Sequence, residues 1–95
     1  DEGPLSKKIT LDWTGRLEPV LQMVANKVEY EIKIRGERPA QPVIVSLDKT
    51  DTKIFTVLEE LGWKSGRHQI SVNEEKNIVQ LTYFEDEKAA GGKHE

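Results

Sequence analysis

The chain has 95 residues, of which 17 are acidic and 14 basic, so its formal net charge is −3. This length suits one small domain with a modest core. The sequence contains no Cys, which excludes disulfides, thiol catalysis and Cys-based zinc sites. No apolar run approaches the ~20 residues that span a bilayer, and the mild acidity argues against a protein that binds phosphate backbones.

In the first half of the chain, the hydrophobic period changes from two to 3.6 and back to two. Alternation over residues 9–13 predicts a strand with one buried face. Apolar residues then recur at helical spacing over residues 17–28, with Pro19 in the first turn, where its missing N–H costs little. Alternation over residues 30–35 predicts a second strand, which ends at Gly36.

The next segment is interrupted by two prolines, so residues 37–42 are predicted to form a loop. The near-continuous apolar run at 43–47 predicts a third strand that is covered on both faces. A second helix is predicted to begin near residues 48–51, where Thr50 or Asp51 would cap its free N–H groups.

The second helix carries its apolar stripe on Ile54, Val57, Leu58 and Leu61. Gly62 is predicted to take the left-handed position after it, with Trp63 folded back onto the last turn. Alternation at 68–72 and 79–83, around a polar turn at 73–77, predicts a closing hairpin.

The predicted order is β-α-β-β-α-β-β, which indicates an α+β sandwich of two helices and small sheets. We place this domain at residues 8–84, after a flexible leader at 1–7. Residues 85–95 contain hardly any apolar side chains, so we expect an acidic, disordered tail there.

The sequence contains no group of side chains arranged for catalysis. His68 is predicted to be a polar residue of an edge strand, and His94 lies in the tail. Asp48 and Asp51 have the positions of helix caps and not of an acid–base pair. We therefore expect no catalytic residue, no metal and no cofactor, and a protein that is not an enzyme.

The same element order also occurs in RNA-recognition domains of ferredoxin-like shape, which display aromatic residues on their sheet. Here Trp13, Tyr30 and Tyr83 share the inward register of their strands, so we predict that they are in the core. RNA binding therefore remains the less favoured alternative.

Protein contacts are the remaining kind of function, because a small sheet has edges that another chain can pair with. Arg38, Pro39 and Pro42 lie on the predicted loop and are candidate interface residues. Phe84 falls out of register with the last strand. It is predicted either to be an outward interface anchor or to pack beneath the leader or tail.

Several segments occur in one order along residues 8–84. They are Ile9-Thr10-Leu11-Asp12-Trp13-Thr14-Gly15, the helix at 17–28, residues 30–36, Arg38-Pro39, residues 42–46, Ile54, Leu58, Gly66 and residues 79–83. As a set they resemble a secretin N0 domain and, more narrowly, the DotD/TraH lipoproteins of type IVB secretion and conjugation systems.

The resemblance implies a periplasmic subunit of an outer-membrane translocation channel in a Gram-negative bacterium. It implies other outer-membrane core subunits as partners, arranged in a ring, and no catalytic residues. It also implies an outer-membrane tether by an N-terminal lipid, which is absent from this chain. An N0 or signalling module of a secretin or of a TonB-dependent transducer is the alternative with the same fold.

Overall fold

Residues 3–84 are described by a computed structural model. Over that range two α-helices and five strands form an α+β fold with two small sheets, which confirms the predicted fold class. In chain order the elements are a 3-10 turn (Pro4–Ser6), β1 (Lys8–Arg16), α1 (Leu17–Lys27), β2 (Glu31–Arg35), β3 (Ile44–Lys53), α2 (Ile54–Lys64), β4 (Gln69–Asn73) and β5 (Ile78–Thr82). The predicted tail at 85–95 lies outside the described residues.

The two sheets are joined by the helices. β1 and β3 form an antiparallel ribbon, while β5 lies between β2, to which it is parallel, and β4, to which it is antiparallel. α1 packs against β1 and β2, α2 packs against β3 and β4, and the helices contact each other. The largest side chains that are almost fully buried are Leu17, Val20, Leu21, Val24, Leu47, Ile54, Val57, Leu61, Val79 and Leu81.

The boundary between β3 and α2 differs from the prediction. Residues 48–51 belong to β3, which extends to Lys53 because β1 pairs with it along almost its whole length. Asp51 is not a helix cap: it lies at an irregularity in the pairing with a φ of 51°, and its N–H donates to Thr10 Oγ1 at 3.0 Å. No side chain caps the start of α2. The Ile54 N–H instead donates to the backbone carbonyl of Lys7 at 2.8 Å.

β3 is also covered on one face only, and not on both as predicted. Val45 and Leu47 are buried, but Ile44 is 58% exposed. A two-stranded ribbon with helices on one side leaves alternate side chains in solvent, so apolar character at Ile44 does not indicate burial there.

The end of α2 lies beyond the predicted position. Gly62 is inside the helix, and the left-handed glycine is Gly66, with a φ of 73°. The Ser65 hydroxyl donates to the Gly62 carbonyl at 2.7 Å and closes the last turn. Trp63 does not fold back onto the helix, because its side chain points outward and is 75% exposed.

The packed part of the chain begins before Lys8. Pro4–Ser6 form a turn of 3-10 helix that contacts α2, and Leu5 is buried with the core. Neither helix formed by residues 3–84 has the length and apolar character needed to cross a membrane.

Candidate protein interface

All four arginines of the chain lie at one end of the domain. Arg16 ends β1 and pairs with Ile44, and Arg35 ends β2 and pairs with Thr82. Arg38 follows on the next loop, and Arg67 lies two residues before Gln69, which pairs with the same Thr82. We call the surface formed by Arg16, Arg35, Arg38, Arg67 and the exposed side chains beside them the arginine end.

A hydrogen-bonded cluster holds the centre of the arginine end together. Glu18, in the first turn of α1, accepts a hydrogen bond from Arg38 Nε at 2.8 Å. The same carboxylate oxygen accepts a second hydrogen bond from the hydroxyl of the buried Tyr83. Because the Tyr83 N–H donates to the Arg35 carbonyl at 2.8 Å, the cluster ties the start of α1 to the end of β2 and to the first part of the loop that follows it.

The cluster fixes the protonation state of each partner. The hydrogen bond from Arg38 lowers the pKa of Glu18, against a smaller opposing effect of burial, so the carboxylate is ionised at neutral pH. Burial first, and the neighbouring Glu18 carboxylate second, raise the pKa of Tyr83 far above its ordinary value. Tyr83 therefore remains a donor and Glu18 an acceptor over the physiological range.

Beside this cluster lies an open cavity of about 320 Å³. Its lining includes Arg16, Glu18, Arg38, Pro39, Pro42 and Tyr83. The structure therefore brings together three of the four predicted interface residues, Arg38, Pro39 and Pro42.

The fourth predicted residue, Phe84, lies at the same end but does not line the cavity. Its side chain is 47% exposed, which is the position that an interface anchor requires. The predicted alternative was that Phe84 packs beneath the leader or the tail. The leader residues Pro4–Ser6 contact α2, and the tail lies outside the described residues. The Phe84 N–H donates to His68 Nδ1 at 3.0 Å, and the His68 ring lies edge-on to Tyr83 with centroids 5.0 Å apart.

His68 is a positioning residue for the end of β5. Burial and the nearby Arg67 charge lower the pKa of His68, which favours the neutral ring that the Nδ1 acceptor role needs. Its backbone carbonyl accepts a hydrogen bond from the Ser65 hydroxyl at 3.0 Å. His68 therefore links the end of α2 to Phe84.

Sequence patterns did not predict the exposure of two large apolar side chains, Ile44 at the arginine end and Trp63 in the last turn of α2. Trp63 and Ile44 were predicted to be covered, yet they are among the four large apolar side chains that residues 3–84 expose, with Phe84 and Phe55. The helical spacing of α2 could have identified Trp63, because it lies opposite the buried stripe of Ile54 and Leu61. Exposed aromatic residues beside arginines are typical of protein interfaces.

A family model described as DotD protein matches residues 2–83. The chain belongs to the DotD family. This confirms the narrower of the two sequence resemblances and makes the chain a type IV secretion-related protein of the kind found in Gram-negative bacteria. A comparison with curated proteins finds no match for it.

The outer face of the three-stranded sheet in this DotD-family domain differs from an RNA-binding platform. Lys33, Gln80 and Ser71 lie side by side across that face. Tyr30 and Tyr83 are buried, and Trp13 is partly buried on the other sheet, where its Nε1 donates to the Arg16 carbonyl. Over residues 3–84 the sheet therefore offers cations without the stacking aromatics that RNA recognition needs. Within the same range, no three His, Asp or Glu side chains are grouped so that they could hold a metal.

Glu18→Gln is expected to weaken the cluster in a pH-dependent way. At pH 7 the free energy of unfolding should fall by roughly 1 to 2 kcal/mol, because a charge-assisted hydrogen bond is lost. Since folding lowers the pKa of Glu18, its stabilisation is present above its ordinary pKa of 4.5 and is lost as pH falls below that value. Urea unfolding from pH 7 to pH 3 should therefore show a smaller decline for the variant than for the wild type.

Glu37→Gln is the matched control for this measurement. Glu37 is an exposed acid on the same loop as Arg38, and its side chain has no hydrogen bond or ion pair within the described range. It should leave the free energy of unfolding at pH 7 unchanged. Parallel pH profiles for wild type and Glu18→Gln would contradict the role assigned to Glu18.

Proposed function

We propose that this DotD-family chain is a non-enzymatic structural subunit of a type IV secretion outer-membrane core complex in the periplasm, and that it works by protein contacts through its arginine end. The observation that carries the proposal is the convergence of four arginines with Ile44 and Phe84 at one end of the domain. These residue types are enriched at protein interfaces.

The geometry of this end suits a fixed protein neighbour. Glu18 holds Arg38 beside Pro39 and Pro42, so a partner meets an ordered loop rather than one that must be ordered on binding. Arg16 and Arg35 are exposed, and their planar guanidinium groups suit carboxylates of a partner surface. Phe84 and Ile44 supply exposed apolar side chains at the same end.

The family resemblance supports specific partners and a membrane location for this subunit. Other outer-membrane core subunits are the expected partners, and the assembly is a ring that contains many copies. An N-terminal lipid would tether the domain to the outer membrane. Because one acyl chain gives only marginal binding, contacts between subunits would add the remaining affinity through multivalency.

Site-specific photo-crosslinking of the full-length protein in cells tests this proposal. A crosslinker at Pro42 or Phe84 should capture outer-membrane core subunits of the secretion system. A crosslinker at Gln22, exposed on α1 away from the arginine end, is the control and should not. Capture of a secretin or a TonB-dependent transducer would favour the alternative module, while capture of ribosomes or RNA would overturn both.

Charge reversal at the arginine end should lower the yield of crosslinked core subunits by a measurable factor. Arg35→Glu should reduce capture from Phe84 by about tenfold or more, because a like charge facing an acidic partner surface costs several kcal/mol. Lys33→Glu is the matched control, since Lys33 is exposed on the same face of β2 two residues away. Equal losses for the two variants would contradict docking at the arginine end.

A further inference from the structure

A second cationic surface lies at the opposite end of α1. We call Lys7, Lys8, Lys27 and Lys53 the lysine patch. Lys8 and Lys53 are paired residues where β1 begins and β3 ends. Lys7 Nζ donates to the carbonyl of Lys27, the last residue of α1, at 3.2 Å. These contacts place four lysines at the end of the domain where β1 begins and where α1 and β3 end.

Within the described residues 3–84, the lysine patch has more positive charge than the acidic residues beside it. Within residues 3–84, Lys8, Lys27 and Lys53 form no ion pair. Like charges on directly paired residues of an antiparallel ribbon repel each other. Glu29 lies against a neighbouring cavity with Lys7 and Lys27, and Asp51 lies two residues before Lys53. Counted over residues 3–84, four lysines therefore face these two acids, in a chain of net charge −3.

A cleft with both polar and apolar lining lies within the patch. It has a volume of about 360 Å³, and Lys7, Lys8 and Lys27 line it together with the apolar side chains of Ile9, Met23 and Val24. Met23 is only partly buried. Flexible lysine stems beside exposed apolar atoms can place ammonium groups at a headgroup layer while the stems stay against less polar surroundings.

We propose that the lysine patch docks on a lipid surface that displays anionic headgroups. The proposal rests on the proposed function, because an N-terminal lipid tether would bring the chain-entry end to the bilayer and leave the arginine end for neighbouring subunits. One acyl chain together with a polybasic patch is the combination that gives stable anchoring where one chain alone does not.

The residue types favour lipid over an acidic protein at this end. Lysine is a compact charge on a flexible stem, which suits a fluid array of phosphates, whereas the planar fork of arginine suits fixed carboxylates. All four arginines lie at the other end of the domain. The two cationic surfaces therefore have different chemistry and face in opposite directions along α1.

Flotation with lipid vesicles tests the proposal on the 95-residue chain. At 50 mM NaCl, we expect at least tenfold more binding to vesicles of phosphatidylcholine with 40% phosphatidylglycerol than to pure phosphatidylcholine. In 0.5 M NaCl the difference should disappear, because salt screens exposed charges. The triple variant Lys8→Gln, Lys27→Gln, Lys53→Gln should lose the preference at low salt.

The matched control is the triple variant Lys33→Gln, Lys64→Gln, Lys76→Gln, which removes the same charge from exposed lysines elsewhere. It should keep most of the preference. Equal binding to both kinds of vesicle, or equal losses in the two triple variants, would overturn lipid docking. If the protein binds polyglutamate through the lysine patch but does not bind vesicles, the patch is a site for an acidic protein. That result would also overturn the proposal.

The vesicle assay and the crosslinking assay test the two proposals separately. Absence of vesicle binding with capture of core subunits from Phe84 would overturn lipid docking alone. Vesicle binding that depends on the patch, with no capture of core subunits, would overturn the proposed function of the arginine end.

Discussion

Gly36→Ala is expected to destabilise the protein by about 3 kcal/mol or more. Alanine would have to adopt a positive φ there, and its Cβ would also clash with the backbone. Gly36 directly follows β2 with a φ of 83°, a conformation that residues with a Cβ rarely adopt. A Cβ there would lie well inside van der Waals contact with the Tyr83 carbonyl oxygen. Because that oxygen belongs to the backbone, no side-chain rotation can relieve the overlap.

The clash would also reach the proposed interface. Relief requires β2 and Tyr83 to separate, but the Tyr83 N–H bonds to the Arg35 carbonyl, directly before Gly36. Movement of Tyr83 would break its hydrogen bond to Glu18 and disturb the loop that carries Arg38. Gly36→Ala should therefore reduce crosslinking from Phe84 even at a temperature at which the variant remains folded.

Gly62→Ala is the matched control and should change stability in the opposite direction. Gly62 lies inside α2, and an added Cβ would meet no atom within 4 Å. Replacing an unstrained helical glycine by alanine should stabilise the fold by about 0.5 to 1 kcal/mol. Urea denaturation with unchanged m-values checks both variants. A Gly36→Ala protein within 1 kcal/mol of the wild type would contradict the geometry described for β2.

Periodicity predicted well the elements whose type is determined by the burial pattern of their own side chains. The buried stripe of α1 recurs at helical spacing, and the inward residues of β5 alternate, so a single stretch of sequence contains the signal. The start of α2 was predicted too early because residues 48–51 have the composition of a helix cap. They are strand instead, because β1, almost forty residues earlier, pairs with them. Local sequence cannot show such a partner.

Only part of the candidate site could be predicted from the sequence. The loop with Arg38, Pro39 and Pro42 could be predicted, because prolines interrupt strand pairing locally. The contact between Glu18 and Tyr83 joins residues 65 positions apart, and it exists only because the fold brings the first turn of α1 to the residue that follows β5. Likewise, the grouping of the four arginines depends on which strands pair, and β5 brings β2 and β4 together only in the folded protein.

Leu81→Ala is expected to destabilise the protein by about 3 kcal/mol, within the usual range of 2 to 5 kcal/mol for a buried leucine. Leu81 is fully buried on β5, the central strand of its sheet, and pairs with Ile34 on one side and Ile70 on the other. Neighbouring strands hold both flanks in place, so the surroundings cannot collapse into the space that truncation leaves. Urea unfolding should show a lower midpoint with an unchanged m-value.

Ile44→Ala removes a similar apolar side chain from an exposed position and separates stability from docking. It should change the free energy of unfolding by less than about 0.5 kcal/mol, as surface substitutions usually do. Since Ile44 lies beside Arg16 at the arginine end, the same variant should reduce capture from Pro42. A stability loss as large as that of Leu81→Ala would mean that Ile44 supports the core. Unchanged stability with reduced capture would show that the fold leaves this side chain exposed for a partner.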